Sequence, residues 1–169
     1  MIDIKRKLKN FGPLEILVIS SLLYVLIMLI WTVSTRSEVI KKASDIQSNH
    51  KIVVEFINDE VNKCSSDLEG STAWGENCAS TWTSSEIVKH ILDNFELNNP
   101  YNIKKPLIQA AQDPRIRAEG KAGQSTDKGI IFVSSSNFDS EAGAEWIIGT
   151  CIKSPCVAAG NNELVSVYR

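Results

Sequence analysis

From Leu14 to Val33 the chain reads LEILVISSLLYVLIMLIWTV, twenty residues with a single formal charge, Glu15. Wound as a helix at about 1.5 Å per residue, this run is about 30 Å long, the thickness of one bilayer hydrocarbon core. It exceeds the roughly 7–15 apolar residues of a secretory signal. No small-x-small cleavage site follows in WTVSTRSEV, so a retained transmembrane helix is expected rather than a cleaved signal. Trp31 lies near the outer end of the run, where an indole suits the membrane–water interface.

The flanking charges orient the run. Residues 1–9 carry Lys5, Arg6, Lys7 and Lys9 against Asp3 alone, whereas the whole chain has a net charge of −2. A basic tip before an apolar run is the positive-inside pattern, so the N-terminus is expected in the cytoplasm. The remainder is acidic and offers no electrostatic footprint for nucleic acid. A chain of 169 residues has room for one compact domain beside the anchor. The expected organisation is a basic cytoplasmic leader at 1–10, the transmembrane half of a long helix at 11–33, and a soluble domain at 34–169. In a bacterial envelope this places the protein in the inner membrane, single-pass, with its domain in the periplasm.

All four cysteines, Cys64, Cys78, Cys151 and Cys156, follow the apolar run. They therefore fall on the side where disulfides persist. Their spacings do not fit paired CxxC zinc patterns. Cys64–Cys78 and Cys151–Cys156 would close the shortest loops, but four cysteines allow three connectivities and spacing does not choose among them.

Neither Gly nor Pro occurs between Pro13 and Cys64, and Pro13 is tolerated in a first helical turn. Beyond Val33 the residues Val39, Ala43, Ile46, His50, Val53, Ile57 and Val61 recur at steps of three and four, which aligns them on one helix face. One long helix over about 13–62 is expected, its second half packed on a domain. Residues 64–84, rich in Ser, Thr, Gly and Asn, read as a loop. SSEIVKHILDNFEL predicts a short helix at 85–95 capped by Ser84 or Ser85. NNPYN at 98–102 is a turn, and 103–128 is ambiguous between strand and helical turn. The runs GIIFVSSS (129–136), AEWIIGTCIK (144–153) and ELVSVYR (163–169), separated by turn-rich stretches, predict an antiparallel sheet. The fold class is α+β, and the sheet is the available partner for the helix stripe.

Catalytic chemistry is not indicated, and the chain does not read as an enzyme. His50 falls on the packed stripe and reads as a partly buried core residue; His90 reads as a surface residue. SNHK (48–51) and STDK (125–128) match SxxK without the accompanying SDN or KTG elements. No Walker A or GxGxxG motif occurs, so no nucleotide cofactor is expected. Asp139, Glu141 and Glu145 lack EF-hand spacing, so no metal site is assigned. Trp74, Trp82 and Trp146 read as core or loop-anchoring residues.

Glu15 stands apart. A carboxylate one turn into a membrane helix costs a few kcal/mol on insertion scales, about the range that selects for a partner or a function. The surrounding sequence, KLKN-FGPLEILVISSLLYVLIML, resembles the N-terminus of type IV pilins and pseudopilins, the class III signal peptide family. In that family a short basic leader precedes a Phe, a Glu at the fifth mature position, and an uninterrupted apolar helix. Lys5 to Lys9 match the leader, Phe11 the first mature residue, and Glu15 the Glu. TRSEVIKKASDIQSNHKIVVEFINDEV (35–61) is similar to the amphipathic second half of the pilin helix. The specific part of the resemblance covers about residues 5–62.

The resemblance implies a pilin-like layout, with a long spine helix, a connecting loop and a small sheet. It also implies a disulfide near the C-terminus, here Cys151–Cys156. It implies that a prepilin peptidase cuts between Asn10 and Phe11 and methylates the new amine. Glu15 would then pair with the Phe11 amine of a neighbouring subunit. The implied partners are further copies or other pilin-like subunits, the peptidase and inner-membrane lipid, and the implied product is an extracellular filament.

Overall fold

The computed structural model describes residues 12–111, 127–135 and 145–168. Asn10, Phe11 and the basic tip, the Asp139 and Glu141 stretch, and most of the ambiguous segment at 103–128 lie outside these residues. The chain divides into two units between Ile40 and Lys41.

The first helix, α1, runs unbroken over Pro13–Ser66. Its start is set by Pro13, whose missing N–H is one of the orphan donors of a first turn. Within the N-terminal unit the helix is exposed throughout: Leu14, Leu22, Ile27, Ile30 and Val33 each present more than half of their surface. Within the second unit the same helix buries a stripe of Ile46, His50, Val53, Ile57, Val61 and Cys64. Val39, assigned to that stripe by its spacing, is 49% exposed instead, and the burial begins near Ala43. The spacing carries on past the point where burial starts, so the period alone does not mark the edge of the packed stripe.

The second helix, α2 (Ser84–Asn94), is capped by Thr83 rather than by Ser84 or Ser85. Thr83 has extended backbone angles and its hydroxyl accepts the Glu86 N–H, while the Glu86 carboxylate accepts the Thr83 N–H at 3.0 Å. This reciprocal pair is a capping box. Its Thr-x-x-Glu spacing moves the start one residue earlier than a Ser-based reading, and Ser84 becomes a buried first helical residue.

Among the described residues four strands form one sheet in the order β1-β2-β3-β4: β1 Ile108–Ala110, β2 Ile131–Ser135, β3 Glu145–Cys151 and β4 Asn162–Tyr168. The last three are the expected antiparallel meander, with Val133 opposite Ile148 and Ile148 opposite Val165. The short β1 lies parallel to β2, pairing Ile108 with Ile131, so the sheet is mixed. Three residues in an ambiguous stretch carry too little alternation to declare themselves.

One face of the sheet carries Ile131, Val133, Trp146, Ile148 and Val167, which join Ile46, Val53, Ile57 and Val61 of α1 and Ile87 and Ile91 of α2 in a single core. Gly129, in the turn two residues before β2, has φ +78°, a left-handed conformation that disfavours a side chain. A Cβ there would stand 2.7 Å from both Asn99 Oδ1 and Tyr101 Cδ2. The buried Asn99 in turn accepts the Tyr101 and Asn102 amides through Oδ1, and the Tyr101 hydroxyl donates to Ile152 O at 2.6 Å. The turn at 99–102 is thus tied to the end of β3.

Candidate functional site

The chemistry-bearing residue of the apolar segment is Glu15, third residue of α1. Its Oε2 accepts the backbone N–H of Gly12 at 3.0 Å, and its own N–H donates to Gly12 O at 3.0 Å. Gly12 therefore acts as the N-cap, and Glu15 supplies the returning half of a capping box. The positive end of the helix dipole favours a carboxylate there. Local geometry thus gives the charge a partner within its own first turn. The proposed processing pair, Asn10 and Phe11, falls outside the described residues.

The apolar segment is also differentiated around its axis. With about 100° per residue, Ser20, Ser21, Tyr24, Met28, Trp31 and Thr32 share one arc of about 120°. The rest of the circumference over residues 14–33 is Leu, Ile and Val apart from Glu15. The hydroxyls donate to their own helix: Ser20 to Leu17 O at 2.9 Å, Ser21 to Val18 O at 2.8 Å, Thr32 to Met28 O at 2.9 Å. These three hydroxyl hydrogens are satisfied without water, as a hydrocarbon surrounding demands. This helix is long and apolar enough to cross a membrane, and among the described residues none of its apolar window is buried.

The four cysteines pair as Cys64–Cys78 and Cys151–Cys156. The first bridge ties the end of α1 to the loop that follows. That loop is pinned again by Glu60, whose carboxylate accepts the Ala73 N–H at 2.8 Å, and by Trp74 beside Phe56 and edge-on to Trp82. The second bridge closes the turn after β3. There Ile152 and Lys153 donate their amides to Asn161 O, and the Asn161 side chain donates to Pro155 O at 2.9 Å. Val157 stands 65% exposed on this braced turn.

Both histidines make contacts that the sequence does not show. His90 is half-buried at the surface and stacks on Phe56, with ring centroids 5.6 Å apart and planes 12° apart. His50 is a core residue as expected, 2% exposed, but it also carries polar ties invisible in the sequence. Its Nδ1 lies 3.0 Å from Glu163 Oε2 and its Nε2 3.2 Å from Ile148 O. Gln47 Nε2 donates to the other Glu163 oxygen at 2.8 Å. Burial holds the imidazole below its ordinary proton affinity, opposed by the Ile148 carbonyl and the Glu163 carboxylate. No spacing rule connects residues 50 and 163; only the β3–β4 register, which places Glu163 opposite Thr150, brings them together.

Comparison with protein-family models, with curated proteins and with solved structures finds no match to this chain. Fold and site together define a disulfide-bonded α+β domain continuous with one apolar helix of membrane-spanning length.

Proposed function

We propose that this protein is a structural subunit of a type IV pilus or of a related secretion pseudopilus. The observation that carries the reading is Glu15, a lone carboxylate at the start of an uninterrupted apolar helix that runs on into an α+β domain. The apolar helix waits in the inner membrane, its domain on the periplasmic side. It is then withdrawn and packs laterally against the helices of other subunits. Burial of the Leu, Ile and Val surface drives that packing. The arc carrying Ser20, Ser21 and Tyr24 gives close-approach and hydrogen-bonding positions that fix the rotation of each helix. Glu15 sets the axial register by pairing with the amine of a neighbouring Phe11, released by a prepilin peptidase. A charge in an apolar assembly requires such a counter-charge. The disulfide-braced loops then face outward.

A second reading is favoured by the Gly12–Glu15 bond. A carboxylate satisfied within its own helix end needs no neighbour. Asn10 also stands where the family carries Gly. In this reading residues 1–10 are kept and the chain is a permanently anchored periplasmic binding or scaffold protein.

The two readings separate by location. Cells bearing the native protein are sheared and the extracellular fraction is probed for the chain. The filament reading expects it in sedimentable fibres outside the cell; its complete retention in the membrane fraction under conditions that produce filaments would overturn that reading.

A further inference from the structure

We propose that His50 is an acid-released clasp holding α1 to the β4 edge of the sheet. The inference is independent of the filament reading.

His50 is wedged where three elements meet. It projects from α1, faces a main-chain carbonyl of β3 at Ile148, and touches the Glu163 carboxylate of β4. Both ring nitrogens face acceptors, yet a neutral imidazole carries one N–H. Only the imidazolium satisfies both, and a ring that is 2% exposed strongly disfavours that charge. Among the described residues the charged groups around it are few. Glu163 is the carboxylate in contact. Lys51 lines the same groove from α1 and pairs with Glu55 at 3.6 Å, and β3 offers only its carbonyl.

The balance has a definite sign. Burial outweighs Glu163, so the docked ring binds protons less readily than a solvated one, whose ordinary value is 6.5. A released His50 therefore takes up the proton that the docked one refuses, and acid favours release. The stability conferred by docking is complete above 6.5 and is lost as pH falls through the depressed value of the docked ring.

β4 is the element able to let go. It is the end strand in the order β1-β2-β3-β4, paired with β3 along one side. Glu163, the second residue of that strand, is already one-third exposed, and Gln47 and Glu163 form a second tie at the same rim. Opening there exposes His50 without dismantling the α1–α2 core around Ile57 and Ile87.

The test uses the full chain in lipid nanodiscs. The His50 ring is titrated by NMR, and amide exchange is followed for β4 and for residues 46–53 at pH 7.5 and pH 5.0, corrected for the intrinsic rate. We expect a docked ring that protonates below free imidazole. Protection of β4 should fall between pH 7.5 and pH 5.0 by up to the factor by which docking weakens proton binding, with a ceiling of about thirtyfold set by the free imidazole. In His50→Gln this acid-dependent loss disappears. In Glu163→Gln, which keeps a hydrogen-bonding group but removes the charge that favours the imidazolium, burial acts unopposed and the loss is larger than in the wild type. A ring that protonates above free imidazole, or β4 protection that falls equally with acid in His50→Gln, overturns the proposal.

Discussion

Glu15 and Gly12 close the first turn of α1 on themselves: the carboxylate Oε2 takes the Gly12 N–H at 3.0 Å. This bond gives the residue two separable roles. As a cap it needs only a hydrogen-bond acceptor; as the partner of an amine it needs its charge. Gln supplies the first without the second. Glu15→Gln is expected to retain wild-type amounts of membrane-inserted protein while losing filament assembly as fully as Glu15→Leu. Quantitative recovery of sheared filaments beside membrane levels checks this. Assembly that survives in Gln and fails in Leu would assign Glu15 to capping alone.

Gly129 holds a left-handed φ of +78° against Asn99 and Tyr101. In Gly129→Ala the new methyl meets Asn99 Oδ1 and Tyr101 Cδ2 at distances real side chains do not tolerate, on a backbone that already disfavours it. A loss of about 2–4 kcal/mol is expected from urea unfolding of the full chain. Gly160 also has positive φ, at +76°, but open space around its Cβ position. Gly160→Ala should therefore lose only about 1–2 kcal/mol, the conformational part alone.

The two disulfides differ in the length of chain they close. With Cys64 and Cys78 separated by 14 residues, the chain-entropy model assigns that bridge about 3 kcal/mol. With Cys151 and Cys156 separated by 5, the same model gives about 2 kcal/mol. Paired Ala substitutions at each bridge, compared by denaturant unfolding, should preserve this order. The first pair should also loosen the segment around Trp74, seen as faster amide exchange at Ala73.

Thr83 and Glu86 cap α2 reciprocally, and the Thr83 hydroxyl and amide hold the Glu86 carboxyl below its ordinary value of 4.5. The sign follows from that direction. The bond's contribution is present above 4.5 and is lost as pH falls through the depressed value. Thr83→Ala is expected to cost about 1 kcal/mol at pH 7. The difference from wild type should shrink in acid, when the carboxylate is no longer there to accept.

Much of this fold is legible in the residues, for identifiable reasons. The absence of Gly and Pro from 14 to 63 and the three–four spacing from Ala43 to Val61 dictate α1. β-branched runs broken by Gly, Asn and Ser mark β2, β3 and β4. Elements that depend on distant partners are not legible. β1 is three residues long and exists because Leu107 O and Ala111 N find β2. Val39 keeps the stripe's period but is 49% exposed. The capping box at Thr83 has the Thr-x-x-Glu spacing, but Ser84 and Ser85 beside it are equally good cap residues and mask it in the sequence. Of the candidate site, Glu15 is conspicuous as the one charge in an apolar run, while its bond to Gly12 is a matter of rotamer. The His50–Glu163 tie joins residues 113 positions apart and is created by strand register alone.

The N-terminus of the mature chain tests the central claim most directly. Intact mass and N-terminal sequencing of protein recovered from its native membrane would be read together. The filament account predicts a chain that begins at Phe11 and carries one extra methyl group on its amine. A chain that retains Met1 to Asn10 would contradict it, leaving Glu15 with Gly12 as its partner and the anchored-protein reading in its place.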